Sequence, residues 1–212
     1  MAALIRMIAI AAVAMAAFGC RDTTEGPVPA RRVDFCTLLS TEPLSFQVSE
    51  AGRQATLCAR DQRITDDLTP GIRMVIEYLT FDYSLQGSDI DIDLKAWAVP
   101  LQGEIEALGP EAIRQLPPAQ AEVQGAARDG DFINIQLMAL YSGSSRTLSA
   151  AADASTLDAP TVRIWLYNPG KPVDTPASIN RKYYASFSLA TLGLSPEQQV
   201  EVVPITEKTS SK

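Results

Sequence analysis

Apolar and polar residues alternate with a period of two through most of this 212-residue chain. In residues 90–99 (IDIDLKAWAV) isoleucine, leucine and alanine stand at one parity, and mainly charged residues stand at the other. Successive side chains of a strand point to opposite faces, so this pattern is typical of a strand with one face in solvent. Residues 71–83 (GIRMVIEYLTFDY) are apolar at both parities and predict a strand that is partly covered on both faces. We expect these two strands to form a hairpin.

The second half of the chain carries further short strand patterns with turn signals between them. They cover residues 132–141, 146–150, 161–167, 182–189 and 199–205. Several short strands at such spacing predict a β-sandwich. Residues 102–124 break the alternation: Pro110 starts a short helical run, and Pro117 ends it. This segment is the predicted connector between two β units.

The N-terminus has the pattern of an export signal. Arg6 is followed by twelve uncharged, mainly apolar residues, 7–18, which are too few to span a bilayer as a helix. Residues 17–20 (AFGC) resemble the lipobox of bacterial lipoproteins. That resemblance implies removal of residues 1–19, acylation of Cys20 with chains such as palmitate, and a tether over residues 20–32. We therefore expect the membrane as a partner, through a lipid anchor in the outer membrane.

Charge and composition exclude several function classes. The net charge is −7 and the pI is about 4.7, which argues against a nucleic-acid partner because phosphate binding needs clustered cations. The chain has no histidine, so Ser-His-Asp and Cys-His catalysis are excluded. We expect no enzymatic activity and no cofactor. Thr23 lies in an Asp-Thr-Thr sequence that resembles a bacterial O-glycosylation signal.

Two cysteines remain beside Cys20. Cys36 and Cys58 are 22 residues apart in strand-like runs, and an exported protein reaches a compartment where disulfides persist. They are a candidate disulfide; the alternative is two separate small apolar side chains in the interior.

Two polar constellations are candidates for chemistry. Asp89, Asp91 and Asp93 share one strand parity, about 6.6–6.8 Å apart between neighbours. The favoured interpretation is a solvated strand face; a calcium site is a weaker one, and a pair of catalytic carboxylates is weaker still. The second constellation is a candidate ligand face. Its members Arg163, Trp165 and Tyr167 share the polar parity of one strand. The favoured interpretation is that packing covers them, and the alternative is contact with a glycan or an envelope protein.

Several strand motifs resemble the NigD-like lipoproteins of Gram-negative anaerobes. The matching segments are residues 71–78 (GIRMVIEY), 131–136 (DFINIQ), 162–168 (VRIWLYN), 183–189 (YYASFSL) and 200–203 (VEVV). In the third, Tyr167 stands where the family commonly has histidine. The resemblance implies an OB-like barrel followed by an immunoglobulin-like β-sandwich, which we place at 33–105 and 125–206. Between them the residues predict a linker with a short helix over 106–124, and after them a disordered tail over 207–212.

The same resemblance implies no enzymatic activity and no catalytic residues. It leaves three roles open: binding or scaffolding in the envelope, a carbohydrate-binding accessory lipoprotein, and a bacteriocin-immunity protein, the last suggested by the family name.

Overall fold

The computed structural model describes residues 28–50, 53–64, 67–81, 89–141, 147–170 and 179–206. Within these ranges nearly all regular structure is β-strand, so the all-β prediction is confirmed. No helix in these ranges is long and apolar enough to cross a bilayer.

The first unit is one six-stranded sheet. Its strands are β1 (Ala30–Thr41), β2 (Leu44–Glu50), β3 (Arg53–Cys58), β4 (Arg73–Thr80), β5 (Asp89–Asp91) and β6 (Asp93–Ala98). Their order across the sheet is β5-β3-β2-β1-β4-β6. The apolar parity of β4, with Met74, Ile76 and Tyr78, packs into a core shared with Phe46 and Leu57. The predicted hairpin is present in part: β6 pairs antiparallel with β4, whereas residues 89–91 form β5, which pairs with β3 instead.

The two edge strands of this sheet, β5 and β6, are consecutive in the chain. Only Ile92 separates them, so the sheet curls around its core like a barrel. Within the described residues no backbone ladder joins the two edges, and the implied OB-like barrel is therefore open. The side chain of Gln62 sits near this opening. Its Nε2 donates to Leu94 O at 2.8 Å, and its Oε1 accepts from Leu94 N at 2.6 Å.

The second unit consists of two four-stranded sheets. Its strands are β7 (Leu101–Glu104), β8 (Glu106–Leu108), β9 (Ala121–Asp129), β10 (Phe132–Tyr141), β11 (Ser149–Asp153), β12 (Thr161–Tyr167), β13 (Ile179–Ser188) and β14 (Gln199–Pro204). Sheet order is β7-β13-β10-β9 in one layer and β14-β12-β11-β8 in the other. A single apolar core, including Ile135, Ile164 and Phe187, fills the space between the layers. The predicted sandwich is thus present.

The connecting segment differs from the sequence expectation. Residues 101–108 were expected in the first unit and linker, yet β7 pairs with β13 and β8 pairs with β11 of the sandwich. The first unit therefore ends at Ala98. The linker helix is confirmed as α1 (Pro110–Ile113), and two 3₁₀ turns lie at Ala154–Thr156 and Ala190–Leu192.

The N-terminal boundary also moves. β1 begins at Ala30, where a tether was expected to continue to residue 32. The signal segment 1–19, Cys20, Thr23 and the tail 207–212 lie outside the described residues.

Candidate functional site

An apolar groove lies on the outer face of the sandwich. Trp165 on β12, Ala151 on β11 and Val203 on β14 stand opposite one another in register and form a row across that face. The inward parity of β12, with Val162, Ile164 and Leu166, fills the core instead. This alternation is the reason that Trp165 faces away from the core.

The linker helix α1 makes one wall of this groove. Ile113 of α1 is buried, and so is Ala151, although neither belongs to the two cores. α1 packs on β11, so it covers part of the row. The backbone N–H of Ala119 donates to Ile205 O at 2.8 Å and ties the segment after α1 to the end of β14.

The groove has a volume of about 650 Å³ and is mainly apolar. Its lining consists of Pro110, Ile113, Arg114, Asp153, Trp165, Val203, Pro204, Ile205 and Thr206. Volumes of this size are typical of sites for small ligands or for anchoring side chains. Only three of the lining residues are polar: Arg114, Asp153 and Thr206. A mainly apolar lining with a few polar groups is typical of a binding site.

Trp165 is half-buried in this groove. Its Nε1 is buried and has no hydrogen-bond acceptor among the residues that the structure describes. The guanidinium of Arg163 lies 5.7 Å from the indole centroid, and Arg163 Nε donates to Glu201 Oε2 at 3.0 Å. A buried N–H donor without an acceptor costs about 1–3 kcal/mol. This atom has almost no accessible surface, so the cost is borne within the fold and the groove offers the indole ring rather than its N–H.

The candidate ligand face is brought together only in part. Arg163 and Trp165 are in contact, but of the three predicted residues Trp165 alone lines the groove. Tyr167 lies two positions further along β12, opposite Ser149, and is half-buried.

The structure does not gather the three aspartates around one position. Asp89 and Asp91 lie on β5 at one edge of the sheet, while Asp93 begins β6 at the other edge, because the chain changes partners at Ile92. Asp91 and Asp93 still line one pocket, but Asp89 does not. Asp91 Oδ1 accepts from Arg60 Nε at 2.8 Å, and Asp93 pairs with Lys95. Among the residues placed by the structure, no three acidic or thiol groups converge on a metal position.

The two cysteines are free, so the candidate disulfide is not formed. β2 lies between β1 and β3, which places the two strands about 9–10 Å apart, beyond the reach of a disulfide. Cys36 is in the core, whereas Cys58 lines a separate shallow pocket of about 350 Å³ with Arg60 and Asp91.

The two thiols also differ electrostatically. Burial raises the pKa of Cys36 to about 12; Arg73 lowers it and Asp34 raises it by smaller amounts. Burial and then Asp89 raise the pKa of Cys58 above its ordinary value. Both thiols are therefore protonated at neutral pH, and neither has the lowered pKa of a catalytic nucleophile.

A buried arginine joins the two β units. Arg73 is 5% exposed, and its Nη2 donates to Asp129 Oδ2 and to Asn134 Oδ1, both at 3.0 Å. Its Nη1 donates to Thr37 Oγ1 at 3.1 Å, and its guanidinium lies 4.6 Å from the Phe132 ring centroid. We call Arg73, Thr37, Asp129, Asn134 and Phe132 the junction cluster. Its hydrogen bonds connect the first unit to the sandwich.

The sequence reasoning missed the groove walls and the junction cluster. Ile113 is the apolar residue that α1 buries in an otherwise exposed segment, and Pro204 and Ile205 extend the apolar end of β14. These apolar residues in the sequence could have predicted that the linker covers part of the sandwich surface. Nothing in the pattern around Arg73 distinguishes it from an arginine in solvent.

Comparison with known proteins gives similarity in structure only. No protein-family model matches the chain, and no curated protein matches its sequence. A protein of unknown function, DUF1344, from Bacteroides vulgatus has a TM-score of 0.58 at 14% identity, over 82% of this chain and 83% of its own. A NigD-like immunity protein from Bacteroides caccae has a TM-score of 0.52 at 16% identity, over 81% and 84%.

A further similar structure is a suggested lipoprotein from Bacteroides fragilis, with a TM-score of 0.52 at 10% identity over 82% of this chain and 88% of its own. At these identities the likeness shows the fold. The chain therefore has the fold of a NigD-like immunity protein, and the resemblance seen in its strand motifs is confirmed at that level.

Proposed function

We propose that this chain is a non-catalytic, lipid-anchored envelope protein of the NigD-like type, which binds a protein partner in the Trp165 groove. The observation that carries the proposal is the groove itself, an apolar depression of about 650 Å³ lined by the half-buried side chain of Trp165. The anchor is supported by the lipobox-like residues 17–20 and by the similarity to a suggested lipoprotein.

A polypeptide fits the groove better than a glycan does. Its walls are formed by Ile113, Val203 and Ile205, which suit an inserted apolar side chain. Sugar rings stack on an open aromatic face and need several polar side chains around it, whereas Arg163 lies over the indole here.

Photo-crosslinking in the producing cells tests the binding role. A benzoylphenylalanine at Thr206, on the groove rim, is expected to give one defined protein adduct. The matched control is the same group at Thr69, an exposed threonine of the first unit. The variant Val203→Arg fills the groove with a charged side chain and should abolish the Thr206 adduct while the protein remains folded by circular dichroism.

Equal adducts at both threonines, or a Thr206 adduct that persists in Val203→Arg, would show that the groove is not the binding site. Affinity electrophoresis against a polysaccharide panel addresses the carbohydrate alternative. Retardation that Trp165→Ala removes would replace the protein partner by a glycan.

The anchor and the immunity alternative have their own tests. Labelling with a radioactive fatty acid should mark the wild type and not Cys20→Ala. The immunity role rests on the name of a structural neighbour, and a deletion strain with unchanged sensitivity to bacteriocins would remove it.

A further inference from the structure

The exposed apolar side chains of this protein are concentrated at one end. Among the described residues seven large apolar side chains are exposed, of which five belong to the outer ends of two strand pairs. Val28, Val33 and Phe81 lie on or beside the β1–β4 pair, and Leu140 and Ile179 lie on the β10–β13 pair. We call these five residues the apolar end.

The junction contacts show how the two strand pairs are aligned, because they fix the direction of β1 relative to β13. Arg73, opposite Thr37 on β1, bonds to Asn134, which is opposite Ser186 on β13. Two residues earlier on each strand, the rings of Phe35 and Tyr184 are in edge contact at 5.7 Å.

β1 and β13 therefore run in the same direction across the junction. From the ring contact, β1 extends five residues back to Ala30, and β13 extends five residues back to Ile179. The exposed side chains at these two ends, with fractional exposures of 69% for Val28, 63% for Phe81 and 62% for Ile179, consequently lie at the same end of the molecule.

This end is the one nearest to the proposed lipid. Eight peptide steps separate Cys20 from Val28, and fully extended they span no more than about 29 Å. An acylated Cys20 would keep the apolar end within that distance of the bilayer.

The local charge is compatible with lipid headgroups. Arg181 and Lys182 are exposed on β13 beside Ile179, and Arg31 pairs with Glu77 on β4. Since carboxylates are present as well as cations, the membrane contact would depend mainly on the apolar side chains. Exposed aromatic and aliphatic side chains flanked by cations are typical of surfaces that rest on a bilayer.

We propose that the apolar end docks on the membrane surface, with Phe81 and Ile179 in the interfacial layer, so that the protein is held in one orientation rather than only tethered. This inference rests on the proposed lipid anchor and adds a second contact with the same membrane.

Bromine quenching of tryptophan fluorescence tests the contact. The lipidated full-length protein is reconstituted in vesicles of phosphatidylethanolamine and phosphatidylglycerol, with and without brominated acyl chains. We introduce Phe81→Trp, and separately Ile179→Trp, at the apolar end. The control is Leu39→Trp, since Leu39 is exposed near the other end of β1. Emission of the wild type supplies the background of Trp97 and Trp165.

We expect brominated lipid to reduce the added emission in Phe81→Trp and Ile179→Trp, and to leave that of Leu39→Trp unchanged. Unquenched emission in both apolar-end variants, from protein that floats with the vesicles, would overturn the docking and leave the anchor standing. Equal quenching in Leu39→Trp would also overturn the proposal, because the protein would then touch the membrane in no fixed orientation. Protein that fails to float would refute the anchor and this inference with it.

Discussion

Removal of the carboxylate from the junction cluster should destabilise the protein far more than removal of a similar surface ion pair. In Asp129→Ala the guanidinium of Arg73, a residue that is 5% exposed in the wild type, loses its anionic partner, while Asn134 and Thr37 remain as neutral acceptors. Arg73 Nε already lacks an acceptor within the described part of the chain, so the variant leaves the guanidinium short of a further acceptor.

The magnitude follows from burial. Loss of one partner from a buried ion pair costs about 3–5 kcal/mol, because the remaining charge is left out of water. Asp129 is 18% exposed, so Arg73→Met, which leaves a carboxylate that reaches water, should cost about 3 kcal/mol, the low end of that range. At about 2–4 °C per kcal/mol, the expected fall in Tm for Asp129→Ala is about 6–20 °C.

Urea unfolding of Asp129→Ala, Arg73→Met and the double variant measures this directly as a double-mutant cycle. The control is Glu201→Ala, which breaks the half-exposed pair with Arg163 and should cost less than about 1 kcal/mol. The reasoning is refuted if Asp129→Ala is no more destabilising than Glu201→Ala, or if the coupling between Arg73 and Asp129 is below about 0.5 kcal/mol.

Three further outcomes are expected. Gln62→Ala should lose about 1–3 kcal/mol in urea unfolding because both backbone groups of Leu94 lose their partner, whereas Gln47→Ala, at an exposed side-chain pair, should lose less. Unfolding returns the Cys36 pKa from about 12 towards 9.0, so stability should fall as pH rises between these values, and Cys36→Ala should reduce that slope. Native protein at neutral pH should react with iodoacetamide slowly, at Cys58 before Cys36, which mass spectrometry would show.

The alternation of apolar and polar residues predicted most strands, because the side chains of a strand record which of its two faces is covered. Residues 71–83 and 161–167 became β4 and β12 with the expected parity in the core. Pro110 likewise predicted the start of α1, since its fixed φ suits a first helical turn. These elements depend on local side-chain order, and that order is what a single sequence contains.

The features that the sequence did not predict depend on tertiary contacts, that is, on which strands and faces pack against one another. Arg73 alternates like a solvent-facing residue, but its face of β4 is covered by the sandwich. The strand breaks at Ile92 although the alternation of side chains continues through it, because the chain passes there from one sheet edge to the other. For the same reason residues 101–108 resembled a connector: short strands such as β7 and β8 are defined by their partners on β13 and β11.

The junction cluster also links the stability of this fold to its proposed orientation at the membrane. Phe81 is one peptide from the end of β4, in the unit nearest Cys20, whereas Ile179 reaches the same end only because Arg73 and Phe35 align β13 with β1. Arg73→Met should therefore leave bromine quenching in Phe81→Trp and weaken it in Ile179→Trp. Glu201→Ala, on β14 in the other sheet of the sandwich, should change neither. Equal loss at both positions would mean that the variant has disturbed β1 and β4 themselves, and the alignment argument would fail.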